Sequence, residues 1–174
     1  HEPAKLTRTS TTSFTLTDID FTDGPYLDEN ISTTTIYASA ATGTGINLVA
    51  SAATFESGHV GALFRFREII ETSHDAWAAS TSYAQNDTVR NAGNVYKKTN
   101  SGSHTSGTTA PVHTTGTETY GSIDWEFQHS GTGFVKITGF TSSTQVAADV
   151  KSTLPASVVG SSNPTTKWSE GAFS

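Results

Sequence analysis

The 174-residue chain has a net charge of -6, 34% hydrophobic and 15% charged residues, and neither Cys nor Met. Ordinary domains carry roughly 45–50% apolar and about 25% charged residues, and here Ser and Thr, about three residues in ten, fill the gap. An acidic balance without a Lys/Arg cluster argues against phosphate-backbone binding, no apolar run approaches the ~20 residues of a membrane helix, and zero Cys removes disulfides and thiolate metal sites.

β-branched Thr favours strands, and periodic runs of helix formers are scarce, so the fold class expected is all-β. Within it we expect a β-sandwich or barrel-like core and a small inserted aromatic-rich β module. In chain order, Phe14 and Leu16, then Ile19 and Phe21, alternate with polar neighbours and predict two short half-buried strands. Asp23-Gly24-Pro25 is a turn, and residues 31–53 form two Thr/Ile/Val-rich runs around Gly43-Thr44-Gly45, which predict a hairpin. From Phe55 to Ile70, period two places Val60, Ala62, Phe64, Phe66 and Ile70 on one face and Arg65, Arg67 and Ile69 on the other. This predicts a central strand whose second face is partly covered.

Residues 75–128 read as a separate inserted unit, and residues 1–74 plus 129–174 as the β core domain. The stretch Thr99 to Ser122 is too polar and too long for an ordinary loop and is expected to be mobile or ligand-associated. Gly133 to Phe140 and Thr144 to Val150 alternate cleanly as strands.

The middle unit, WAASTSYAQNDTVRNAGNVYKK through APVH to IDWEF, resembles the small chitin- or cellulose-binding modules of secreted glycosidases. In that family exposed aromatics stack on the apolar face of a sugar ring. The resemblance makes Trp77, Tyr83, Tyr96 and Trp125 the candidate carbohydrate-binding residues. Tyr96 and Trp125 lie within strand-like runs and are expected in the small core; Trp77 and Tyr83 are expected to be exposed.

The whole chain carries a second resemblance. PAKLTR, TDIDFTDGPYLDEN, FESGHVGALFRF, HSGTGFVKITGFTSSTQVAADVKSTLP and WSEGAFS are similar to the central region of a tail protein of tailed bacteriophages, of the tail tubular or nozzle group. That resemblance implies a structural virion protein without catalysis. Its implied partners are other copies of itself, six in a ring, neighbouring tail proteins, and a cell-surface glycan. A chain that starts at His1 and lacks Met fits an interior piece of such a protein. The alternative is a secreted, extracellular glycan-binding module.

Other residues are expected to be structural. His104 and His113 lack a tight ligand spacing and read as solvated loop residues, His59 and His129 as hydrogen-bonded strand-edge residues, so no metal ligand and no cofactor is expected. Asp124 and Glu126, like Asp18 and Asp20, read as a solvated strand face rather than a glycosidase pair. Asn86, Asp87, Asp18, Asp20, Asp23 and Asp28 offer oxygen atoms for Ca²⁺, but no Glu stands at the far coordinating position. G-x-S-x-G, H-E-x-x-H and P-loop spacings do not occur, so no catalytic residue is expected.

Overall fold

The computed structural model describes residues 3–19 and 21–173. It opens on a two-stranded ribbon, β1 (Ala4–Arg8) against β2 (Phe14–Asp18). β3 (Ile36–Ala38), β4 (Ile46–Ala50) and β5 (Leu63–Arg67) then begin a first sheet. A one-turn helix, α1 (Ile70–Ser73), leads out of it. Residues 75–129 contain β6 (Asp75–Ala76), β7 (Ser82–Tyr83), β8 (Thr88–Asn91) and β9 (Asn94–Lys98). β10 (His104–Thr105), β11 (Thr117–Tyr120) and β12 (Ile123–His129) follow. The chain returns to the first sheet in β13 (Thr132–Ser142), β14 (Gln145–Ser152) and β15 (Trp168–Glu170). The protein is therefore all-β, with a barrel-like core sheet.

That first sheet has the order β15-β5-β13-β14-β4-β3, and every pairing is antiparallel. Alternation dictates its inner face: Ile36, Leu48, Phe64, Phe66, Val135, Ile137 and Val146 point inward and are buried. Each such side chain contributes roughly 1.5–3 kcal/mol by leaving water. The sheet curls, and one segment joins its two edges. Thr165 exchanges backbone hydrogen bonds with Ile36 on β3, and three residues later Trp168 pairs with Phe66 on β5. The Trp168 indole N–H donates to the Thr34 carbonyl at 3.0 Å, tying that segment down.

The second face of β5, that of Arg65 and Arg67, is covered in part, as expected. Leu63 is buried, and the Arg65 guanidinium lies 4.5 Å from the centre of the Tyr26 ring. On β13, Gly133 is required by close approach: a Cβ there would stand 2.4 Å from the Thr153 carbonyl oxygen.

The second sheet has the order β11-β12-β9-β8-β6, with β7 and β10 paired beside it. The turn between β8 and β9 is two residues long, Ala92 and Gly93, both at positive φ, the conformation that matches strand twist in a tight hairpin. Its core is Tyr83, Val89, Tyr96, Ile123 and Trp125.

Three expectations are corrected. β1 and β2 are exposed along the length described, so the alternation of Phe14 and Leu16 marks an amphipathic ribbon with nothing over its apolar face. Residues 55–62 are not strand: a 3-10 turn at Ser57–His59 and Gly61, at φ 101, break the run, leaving Val60 exposed, while Ile70 is buried from α1. The stretch from Thr99 to Ser122 is held at many points. Buried Lys98 donates from Nζ to the Asn100 and Gly102 carbonyls, Asn91 Nδ2 to the Pro111 carbonyl, and Tyr96 Oη to the His113 carbonyl. Ser106 Oγ reaches the Ala78 carbonyl at 2.8 Å, and β10 and β11 each pair with a neighbouring strand.

Candidate functional site

The four nominated aromatics come together, but as a core. Tyr96 and Trp125 are 0% exposed and Tyr83 is 8% exposed, its ring edge-on to Trp125 at 5.2 Å. Tyr83 was expected at the surface. Instead its hydroxyl is fixed in both roles, donating to the Ala78 carbonyl and accepting from the Ala78 N–H. A small sheet buries its aromatics because a single ring removes roughly 150–250 Å² from water. Such rings offer no face to a sugar. Trp77 alone of the four keeps part of its ring at the surface, packed against the edge of this core, with its indole nitrogen buried and without a hydrogen-bond partner.

His113 departs from the solvated reading, whereas His59 is hydrogen-bonded as expected. The His113 imidazole is wedged between Tyr96 and Tyr120, at 5.1 and 5.7 Å between ring centres, and both its nitrogens are buried without hydrogen-bond partners. His59 caps the turn before β5 and lies 3.1 Å from Glu170. Asp124 accepts from the Thr119 hydroxyl and Glu126 from Gln128 Nε2, so both carboxylates are engaged locally. Asp87 accepts from the Ala84 N–H and Asp23 from the Tyr26 hydroxyl, each within its own turn. Asp20 and the side chain of Asp18 lie outside the described residues.

A different group assembles where the chain passes between the sheets. Glu68 follows β5, His74 ends α1, and His129 ends β12. His74 Nε2 lies 3.2 Å from Glu68 Oε1, and His129 Nε2 lies 3.4 Å from Glu68 Oε2. Among the described residues these three form the one set of three or more His, Cys, Asp or Glu with all ligand atoms within 4.8 Å of one another. The Glu68 and His129 side chains are 6% and 5% exposed. Backbone bonds fix the frame: Glu68 N–H donates to the Gly131 carbonyl, and Arg90 Nε to the His74 carbonyl.

The electrostatics of this cluster are unbalanced at one atom. Glu68 Oε2 is buried yet meets no donor in hydrogen-bonding geometry, although His129 Nε2 stands beside it. Burial lowers the His129 pKa, disfavouring imidazolium; the Glu68 carboxylate opposes that and His74 adds to it. The neutral ring therefore has to be placed by tautomer. Gly131 N–H donates to His129 Nδ1 at 3.1 Å, which leaves the ring proton on Nε2. His74 Nδ1 lies 3.0 Å from Thr88 Oγ1, a hydroxyl that can either donate or accept there, so the ring is held with Nε2 towards Glu68 in either tautomer.

The donor set suits a borderline metal. Tetrahedral ligands at the usual ~2.0–2.2 Å lie about 3.3–3.6 Å apart; here each imidazole nitrogen stands near a different oxygen of Glu68, and the three ligand atoms lie within 4.8 Å of one another. Using His129 Nε2 as a ligand requires its proton to move to Nδ1 and the Gly131 N–H to turn away. Losing one backbone hydrogen bond costs about 1 kcal/mol. A structural zinc site supplies on the order of 10 kcal/mol or more, so the tautomer does not bar a metal. Neither spacing nor periodicity in the sequence joins residues 68, 74 and 129; the only local signal is Glu and His placed at element ends.

No family model matches the chain, and no curated protein matches it.

Proposed function

We propose that this chain is a structural component of a bacteriophage tail, acting in virion assembly beside further copies of itself in a ring and beside neighbouring tail proteins. One observation carries the proposal. In the β1–β2 ribbon the register Leu6 opposite Leu16 and Arg8 opposite Phe14 sets Leu6, Phe14 and Leu16 on one face, at 65, 56 and 70% exposure, with Arg8 beside Phe14. The opposite face is Lys5, Thr7, Thr15 and Thr17. A lone hairpin is marginal in water, and a clustered apolar face on it is the mark of a surface that is covered in an assembly. The similarity of the motifs to tail tubular or nozzle proteins supports the same reading.

Sedimentation from micromolar to millimolar concentration tests it. Self-association is expected for the wild type and is lost in Leu6→Asp/Leu16→Asp, whose substitutions touch no core residue. A wild type that stays monomeric throughout, with the Phe14 environment unchanged by concentration, overturns the proposal. Attachment to a cell-surface glycan rests on Trp77: retention on insoluble chitin or cellulose is expected to fall in Trp77→Ala, and absence of wild-type retention removes that part of the reading.

A further inference from the structure

We propose that Glu68, His74 and His129 bind one divalent transition-metal ion of the zinc class, which clamps the second sheet onto the first. The ligand chemistry is two imidazole nitrogens and one carboxylate oxygen, a set that suits zinc, cobalt or nickel and does not suit calcium or magnesium, which take oxygen. The two imidazoles stand one on each oxygen of the same carboxylate, His74 Nε2 3.2 Å from Oε1 and His129 Nε2 3.4 Å from Oε2, and the three ligand atoms lie within 4.8 Å of one another, close enough for a small shift to bring them onto one ion.

A second observation is independent of the cluster's composition. Glu68 Oε2 is a buried carboxylate oxygen that no donor meets in hydrogen-bonding geometry, although His129 Nε2 stands 3.4 Å from it. A cation supplies what that oxygen lacks. The outer partner is also present: Thr88 Oγ1, 3.0 Å from His74 Nδ1, holds that ring with Nε2 turned inward.

Binding balances without net proton release from a neutral His129. The ring proton leaves Nε2, which takes the metal, and a proton occupies Nδ1, displacing the Gly131 N–H. Gly131 sits in a turn at φ 74, where glycine tolerates reorientation. Three protein ligands leave a fourth position to water.

The three ligands come from the two chain segments that pass between the sheets, so the ion ties together both ends of residues 75–129. Its contribution differs from that of the apolar ribbon and does not depend on it.

The test is titration of the chelator-treated, full 174-residue protein with Co²⁺ and Zn²⁺, read by visible absorption, calorimetry and ¹⁵N NMR of the imidazoles. We expect one Co²⁺ per chain with the intense visible bands of a tetrahedral site, displaced by Zn²⁺, and a His129 proton that moves from Nε2 to Nδ1. Thr88→Val, at an exposed position, is expected to weaken binding roughly 10–100-fold. Glu68→Gln keeps the side-chain shape and is expected to weaken it further, while His104→Ala leaves it unchanged. Absence of 1:1 binding by the wild type at millimolar metal overturns the proposal, whatever the variants do. So does wild-type affinity in Thr88→Val and folded Glu68→Gln, or a His129 tautomer that stays fixed on saturation.

Discussion

Replacing Gly133 by Ala tests the core sheet at the point where two backbone segments come closest. The added Cβ would lie 2.4 Å from Thr153 O and 2.8 Å from both Thr153 C and Leu154 Cα. Carbon contacts are optimal at about 3.5–4.0 Å, so β13 and residues 153–154 must separate by most of an ångström. These are backbone atoms, and Leu154 is itself a buried core residue, so the displacement spreads into the core. Overpacking of this kind costs about 1–3 kcal/mol, partly offset by the roughly 0.5–1 kcal/mol that Ala gains over Gly in a strand. The internal control is Gly139 on the same strand, whose added Cβ would meet only the Ala147 Cβ, at an ordinary 3.7 Å. Gly133→Ala is therefore expected to lower stability by about 1–2 kcal/mol, a Tm fall of roughly 2–8 °C, and Gly139→Ala to be neutral or stabilising. Urea unfolding followed by circular dichroism, with m unchanged, measures both. Equal effects of the same sign at the two glycines would refute the close-approach argument.

Further outcomes follow from the geometry. Trp125→Ala removes the largest side chain of the second core and is expected to cost about 3–5 kcal/mol, measured by chemical denaturation. Lys98→Met strands the Asn100 and Gly102 carbonyls without a donor, and hydrogen exchange is expected to rise through residues 99–106. Burial, reinforced by its hydrogen bond to Asp23, raises the Tyr26 phenol well above its ordinary value. Ultraviolet titration should show its ionisation displaced above the ordinary phenol range, and because the unfolded phenol loses its proton first, stability declines as pH rises above about 10. Glu29 accepts both Arg67 Nε and Nη2, at 2.8 and 3.1 Å, with Lys167 Nζ at 3.1 Å, and these bonds, Arg67 first, hold its carboxyl below the usual range. Its contribution, under about 1 kcal/mol at this exposed site, is full above the ordinary Glu pKa and lost as pH falls through the lowered one; salt weakens it. A double-mutant cycle of Glu29→Gln and Arg67→Met across pH 2–6 measures it, and Arg67→Lys loses the two-pronged grip.

Alternation carried the strands of the core. Val135 and Ile137, and Val146 and Ala148, lie on the inner face their period assigns, because one buried face per strand leaves a local imprint. The same imprint does not tell whether an apolar face is covered, which is why Phe14 and Leu16 read as half-buried and are bare. The stretch 99–122 misreads for a related reason. Its anchors are Lys98, Asn91, Tyr96 and Ser106, polar groups whose partners lie up to 28 residues away and have no period at all. Tyr83 was legible as an aromatic of the unit but not as buried, since its fixing contacts run to the Ala78 backbone and across to Trp125. The Glu68, His74 and His129 group is a product of the chain crossing between sheets, and only the fold creates that junction.

The closure of the curled sheet also sets an order in time. β5 needs β13 on one side and β15 on the other, and Trp168 is synthesised about a hundred residues after Phe66, roughly 5–20 s at ordinary elongation rates. Residues 75–129, whose strand pairs are all internal to that stretch, are complete well before then. The small sheet is thus expected to be finished while Phe64 and Phe66 still wait for their last partner, and a stalled chain of which residues up to about 130 have left the ribosome would display one ordered sheet beside an unclosed one.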